Sequence, residues 1–216
     1  MNDERAPKRD GFGSVVSLVA IAALVVCVGV FGYRVVWPDL HPKRFAEVVP
    51  GKVYRSAEPS PAALESMVKG RGIRTIIDLG VASEGEIRDR RLQLSAQALG
   101  ITRFKFDLIG DSTGNPNEYV AALRIASDPA RQPVLVHCAT GSQRTSCAIG
   151  LFRAAFEGVS VDEAIAEAQR FDAKPKVDET MRSMAGPVLV ALREGGWIEG
   201  HPVPSVEPTK PIAARP

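Results

Sequence analysis

From Gly11 to Tyr33 the chain carries no charged residue, and Val15 to Phe31 is almost wholly apolar. About 20 consecutive apolar residues form a helix long enough to cross a bilayer. Residues 14–36 are therefore predicted as a transmembrane helix, behind a polar N-terminal tail (1–13) that sets Arg5, Lys8 and Arg9 against Asp3, Glu4 and Asp10. A cleaved signal peptide would have a shorter apolar run, about 7–15 residues, ending in small side chains. This run ends in Phe31, Tyr33 and Trp37, bulky residues suited to a membrane interface. Residues 37–50 contain prolines and no clear period, and read as a juxtamembrane linker.

Beyond Gly51 the pattern changes to short apolar runs alternating with longer amphipathic ones. Lys52 to Ser56 predicts a strand, and Ser60-Pro61 supplies an N-cap and a first-turn proline for a helix to about Lys69. Arg74 to Leu79, rich in β-branched residues, predicts a second strand. Glu84 to Leu99 reads as a helix closed by Gly100, and Ile101 to Leu108 as a strand. A turn-rich loop, Gly110 to Pro116, leads to a helix over Asn117–Ser127. Pro133 to Val136 is a buried strand, and Cys147 to Phe156 an apolar run that Gly158 stops. Ser160-Val161-Asp162-Glu163 is a capping box opening a helix to about Phe171. Asp178 to Arg193 is helical in period, but Gly186-Pro187 predicts a kink or two pieces. The proline-rich residues 198–216 predict disorder. Strands alternating with helices imply an α/β domain over 51–197, with a mostly parallel sheet flanked by helices.

Composition narrows the function. A length of 216 residues suits one domain with appendages, and a formal charge of +2 gives no reason to expect nucleic acid as a partner. Cys27, Cys138 and Cys147 make no disulfide framework and no CxxC or Cys/His pattern, so neither zinc nor another cofactor is expected.

The chemistry concentrates in His137-Cys138-Ala139-Thr140-Gly141-Ser142-Gln143-Arg144-Thr145, set between a strand and a helix N-terminus. Loop amides and the positive end of the helix dipole can converge there on an anion. Five residues separate Cys138 from Arg144, which lets one loop place a thiolate and a guanidinium around one phosphate. Cys138 is the candidate nucleophile, its thiol acidified by the helix N-terminus and Arg144. Arg144 can grip two phosphoryl oxygens. Gly141 permits the inward turn of the loop, and Thr145 brings a hydroxyl to the sulfur.

The motif resembles the dual-specificity and protein-tyrosine phosphatase superfamily, whose loop is HCxxGxxR followed by Ser or Thr. His137, Cys138, Gly141, Arg144 and Thr145 meet every fixed position. Val53-Tyr54-Arg55-Ser56-Ala57-Glu58-Pro59-Ser60 resembles the YRSxxP segment of compact atypical members from bacteria, plants and fungi. The resemblance covers about Gly51 to Phe171. It implies a cysteinyl-phosphate intermediate, no metal, a phosphate-binding loop from Ala139 to Arg144, and a loop-supporting role for His137.

That family takes its general acid from a loop some 30 residues before the nucleophile. Asp111 stands 27 residues before Cys138, on Gly110-Asp111-Ser112-Thr113-Gly114; Asp107 stands within the strand pattern. A residue that must meet a leaving group belongs on a mobile loop, which favours Asp111 and leaves Asp107 as the alternative.

The expected substrate is protein phosphotyrosine, with phosphoserine, phosphothreonine or a small phosphoester also admitted. Inositide-cleaving relatives often carry lysines where this loop has Ser142 and Gln143, which argues against a highly phosphorylated inositol unless Lys105 or Arg103 approaches from a neighbouring strand. Competing readings are an inositol-phosphate phosphatase, a catalytically silent phosphate-binding module, and a rhodanese-like sulfurtransferase, which usually has four residues between Cys and Arg. Cys147 is expected as core, with a resolving thiol as its alternative. The positive-inside count nearly ties across the span, since Arg34, Lys43 and Arg44 follow it; a short leading tail favours a catalytic domain outside the cytoplasm.

Overall fold

The computed structural model describes residues 11–37, 42–83 and 85–213. Most of the polar tail, part of the linker and the expected helix start at Glu84 lie outside the described residues. The chain divides into two compact units, Met1–Pro38 and Asp39–Pro216. In the first, α1 (Gly11–Phe31) continues through a π-helical turn, Gly32–Val36. Ser17–Arg34 has a mean hydropathy of 2.0 and none of it is buried, so by length and composition it could span a membrane or serve as a signal sequence.

The second unit is built on a five-stranded sheet in the order β1-β2-β5-β3-β4, with strands Ala46–Val49, Val53–Ala57, Thr75–Asp78, Thr102–Lys105 and Val134–Cys138 numbered β1 to β5 in chain order. All neighbours run parallel except β1, which pairs antiparallel with β2. Here the sequence expectation needs correcting: the stretch 37–50 is not merely a linker, because it carries β1. Only four residues long and only partly buried, β1 gives no strong apolar signal; its pairing with β2 makes it a strand.

Helices α2 (Pro61–Arg71) and α3 (Ile87–Ala98) cover one face of the sheet. The other is covered by α4 (Pro116–Ser127), α5 (Gln143–Phe152), α6 (Val161–Gln169) and α7 (Pro175–Glu194). Successive strand residues point to opposite faces. Tyr54, Leu135 and Ile76 therefore form one row under α2 and α3, while Arg55, Val136 and Ile77 form the next row on the α5 side. Each fully buried Ile or Leu in these rows contributes roughly 1.5–3 kcal/mol.

Local signals act where they were expected. The Ser60 hydroxyl accepts from the Ala63 amide to cap α2, and Ser160 and Glu163 close both halves of the capping box on α6. Two expectations change: the last helix is one element and not two pieces, and the C-terminal stretch makes contacts. The last helix runs unbroken through Gly186-Pro187. Pro187 removes one intrahelical hydrogen bond, but the stripe Val177, Met181, Ala185, Val188 and Ala191 is buried on both sides of it and holds the helix together. Close packing supports this, with Met181 against the bare Cα face of Gly150 on α5.

The C-terminal stretch is not free either. Residues 198–213 lack regular structure, yet the Thr209 amide donates to the Arg103 carbonyl on edge strand β4 (2.8 Å), and Ile212 exchanges hydrogen bonds with the Gln97 side chain on α3. Prolines prevent a continuous ladder, while Gln93 and Gln97 of α3 and Asn117 of α4 bond to several backbone groups of the stretch.

Candidate active site

The parallel strands β2, β3, β4 and β5 end on the same side of the sheet, and β5 delivers Cys138 there, 1% exposed. The chain then turns through Ala139–Ser142 into α5, with Ser142 at the N-cap position. Gly141 has φ +70°, and its amide donates to Cys138 Sγ at 3.3 Å. An added Cβ would come within 2.5 Å of the Ala57 amide nitrogen, so only glycine allows the loop to rest on the end of β2.

For amides to face an anion, the loop carbonyls must face away and find other donors. Those donors come from outside the loop. The Ala139 carbonyl accepts from the Glu58 amide (3.3 Å), the Thr140 carbonyl from Arg44 Nη1 (2.8 Å) and the Gly141 carbonyl from Arg55 Nη2 (2.7 Å). The Ser142 hydroxyl and the Gln143 amide group donate to the Asp172 carbonyl, so these side chains tie the loop to the turn before α7. Arg44 pairs with Asp172, and both have left-handed backbones.

Arg144 is clamped from behind. Its Nη1 donates to the Leu79 and Leu108 carbonyls, each at 3.3 Å, where the chain leaves β3 and passes β4. Gly80, at φ +91°, leaves room for this guanidinium, since a Cβ there would sit 3.1 Å from Nη1. Nε of Arg144 is buried with no hydrogen-bond partner among the described residues.

Burial pushes the Cys138 thiol pKa up, but the Thr145 hydroxyl and amide, the Arg144 charge and the Gly141 amide outweigh it, and the net shift is downward. A thiolate is thus favoured at the strand end. Cys147 is the opposite case: burial raises its pKa to about 12, which leaves it a core thiol and a poor resolving partner. His137 is sealed in the core, where burial chiefly lowers its pKa. Its carbonyl accepts from the Leu79 amide, while neither ring nitrogen has a partner among the described residues.

The two carboxylates stand differently. Asp111 is exposed and accepts from the Thr113 hydroxyl and amide, which together hold its pKa down. Its turn is pinned by the Tyr119 hydroxyl donating to the Ser112 carbonyl. Asp107 is exposed beside Leu108, and its amide donates to Glu118, whose carboxyl pKa burial raises. Lys105 and Arg103 do not reach toward the loop. Arg103 lies between Asp78 (2.6 Å) and Asp89 (2.7 Å), and Lys105 stands 3.3 Å from Asp89. Their charge is consumed in a buried network under α3, which removes the approach the sequence had suggested.

Arg44, Arg55, Gly80 and Asp172 were missed by sequence reasoning. Arg55 alone left a signal, as part of the YRSxxP segment. The others become visible only through contacts.

A mostly parallel open sheet whose central strand ends in a thiol, followed by an arginine-bearing loop at a helix start, is the arrangement expected of a cysteine-dependent phosphatase. A sequence model of the tyrosine phosphatase family matches residues 39–184, and the protein belongs to that family. Among curated relatives, the inositol diphosphatase SIW14 of Saccharomyces cerevisiae is 32% identical over 120 residues, covering 52% of this chain and 40% of that protein. The inositol diphosphatase DSP1 of Oryza sativa subsp. japonica is 33% identical over 116 residues, covering 52% and 50%. The chain thus spans half or less of the length of these relatives. Among solved structures, the core catalytic domain of the PP-IP phosphatase SIW14 superposes with a TM-score of 0.60 at 23% identity, covering 71% of this chain and 94% of that one. TpbA of P. aeruginosa in complex with phosphotyrosine gives 0.55 at 19% identity, covering 67% and 88%. These two likenesses are of fold.

Proposed function

We propose that the protein is a membrane-anchored, Cys138-dependent phosphatase acting on phosphorylated inositols. The observation that carries the reaction is the pairing of an acidified Cys138 with an Arg144 whose back edge is fixed by two carbonyls, leaving Nε for a phosphoryl oxygen. In this reading Cys138 attacks phosphorus, and the Cys–P bond forms as the leaving oxygen departs with a proton from Asp111. Arg144 and the amides of Ala139 to Gln143 hold the transferring group, whose charge they stabilise most in the transition state. Water then hydrolyses the cysteinyl-phosphate, and Thr145 eases departure of the sulfur. Asp111 sits in the loop where the superfamily carries its acid; Asp107 is the alternative.

The inositol assignment draws on the curated relatives, which bear that name. It replaces the protein-phosphotyrosine expectation as the first reading. A specific observation keeps phosphotyrosine as the second: Ala139, Thr140, Ser142 and Gln143 add no charge to the loop, and Lys105 and Arg103 are engaged elsewhere.

The test is a metal-free comparison of inositol diphosphates, inositol phosphates and phosphotyrosyl peptides on the full chain in detergent, with Cys138→Ser as control. Higher kcat/KM on the inositol substrates supports the first reading and higher kcat/KM on the peptide the second. Turnover surviving Cys138→Ser would reject the mechanism for both.

A further inference from the structure

Arg55 is 1% exposed and lies behind the catalytic loop, on the β2 row that faces α5. Its Nη2 donates to the Gly141 carbonyl at 2.7 Å and to the Ser146 hydroxyl at 2.9 Å. The guanidinium carbon stands 3.6 Å from the centroid of the Phe171 ring. Nε and Nη1 are buried without hydrogen-bond partners, and among the described residues no carboxylate comes within ion-pair distance.

A stability role alone accounts poorly for this arrangement. Burying a charge without a counter-ion is expensive, and a well-packed apolar side chain of similar volume would fill the space at lower cost. Arg44, the other arginine on the loop, differs: it is partly exposed and its charge is met by Asp172. Arg55 therefore has no ion-pair contact among the described residues; Glu167 and Cys138 favour its charge without touching it.

We propose that Arg55 is a positioning residue of the phosphate-binding loop, which draws the Gly141 carbonyl outward so that the Gly141 amide turns to Cys138 and the anion, and places a second fixed positive charge behind them. The proposal rests on the reading of Cys138 as the anion-site thiol. Strand parity explains how the sequence achieves it: Arg55 pairs with Val136, two residues before Cys138, and shares its face of the sheet. The YRSxxP segment thereby acquires a physical role as the outer wall of the cradle, with Arg55, Ala57 and Glu58 each touching the loop.

The charged and titratable groups around this pair are known. Glu167, Cys138, Arg44 and Arg153 act on Arg55, and Glu167 is paired with Arg153 at 2.7 Å. Arg144 acts on Cys138, which in turn acts on Tyr119, and His137 adjoins it in the chain. Burial brings the Arg55 pKa down to about 10, so the residue remains a cation at neutral pH.

The experiment compares the full-length protein with Arg55→Met, which keeps bulk and removes charge, and Arg55→Lys, which keeps charge and can make only part of the fork. Three readouts are taken: kcat and KM on an aryl phosphate, thermal unfolding, and protection of Cys138 from iodoacetate by inorganic phosphate. The last needs no turnover. Arg55→Met should stay folded, lose roughly a hundredfold in kcat/KM, as small displacements of a reacting group do, and need at least about tenfold more phosphate for protection, about one unit in log affinity. Arg55→Lys should recover part of the protection. A wild type that shows no turnover but is protected by phosphate, with Arg55→Met weakening that protection, would reject the catalytic reading and retain this one. Protection and kcat/KM unchanged in Arg55→Met would overturn it. So would a lysine variant no better than the methionine one, or unfolding of both variants, either of which would make Arg55 a packing residue.

Discussion

The Gly141 Cα faces the Ala57 amide so closely that a methyl group between them would stand 2.5 Å from the nitrogen. Two segments far apart in sequence, the end of β2 and the turn of the catalytic loop, are thereby held at backbone contact. Gly141→Ala must either move the loop off β2 or distort a residue held at φ +70°. The left-handed conformation alone costs about 1–2 kcal/mol for a residue with a Cβ. The variant should lose most activity, with kcat/KM down by more than about a hundredfold, and unfold at lower temperature. Wild-type kinetics would refute the contact.

Arg144 should tolerate no substitute. Lysine cannot bind two phosphoryl oxygens while also filling the carbonyl clamp of Leu79 and Leu108. Arg144→Lys is expected to lower kcat by about 10²–10³, the range seen when one donor to a developing anion is removed. Gly80→Ala should reproduce part of the loss without touching the loop, by displacing the guanidinium. Steady-state kinetics on an aryl phosphate measures both.

The general acid can be assigned by leaving-group dependence. Asp111→Asn should slow an alkyl phosphate strongly and a nitrophenyl phosphate little, because a good leaving group needs no proton. Asp107→Asn should spare both. The reverse pattern would transfer the role to Asp107. Thr113 holds the Asp111 carboxyl low in the absence of substrate. The alkaline limb of the pH profile, set by loss of the proton that Asp111 must donate, should therefore sit higher in the enzyme–substrate complex than in the free enzyme, where that hydrogen bond is intact.

Thiol chemistry gives a pH prediction with a definite sign. The folded Cys138 pKa lies below its ordinary value of 9.0, so ionisation favours the native state. That stabilisation is complete above the unfolded pKa near 9 and is lost as pH falls through the folded pKa. Alkylation of Cys138 by iodoacetate should accordingly have its midpoint below pH 9, while Cys147, raised to about 12, stays unmodified until the protein unfolds. Peptide mapping after alkylation across pH 5–10 reads both sites. Equal labelling of the two thiols would contradict the electrostatics of the loop.

The apolar N-terminal helix predicts retention in the membrane. Ser17–Arg34 has the hydropathy of a span, and full-length protein should resist carbonate extraction from the membranes of expressing cells. Release into the wash, or loss of the segment from the mature chain by mass spectrometry, would identify a signal sequence instead. A reporter fused after Pro216 would fix the side of the catalytic domain.

Much of this protein was legible in the linear sequence because its signals are local. An N-cap at Ser60, the capping box at Ser160 and Glu163, and the apolar run of α1 each act within a few residues. The nine residues His137–Thr145 carry their own chemistry, since strand end, turn and helix start are contiguous. The relation of Cys138 to Arg144 therefore followed from spacing alone. What tertiary structure decided was everything that depends on residues distant in the chain. Arg55 meets Gly141 across 86 positions and Arg44 meets Asp172 across 128. Arg103 and Lys105 were turned from the substrate to a buried carboxylate network, the linker gained β1 by pairing with β2, and the proline-rich tail was held by the open edge of β4 and by α3. Sequence supplied the thiol and guanidinium of the candidate site, because their chemistry depends on residue type and short-range spacing. Folding supplied the donors that hold them in place, because a loop that turns its amides inward needs partners for its carbonyls from wherever the chain returns.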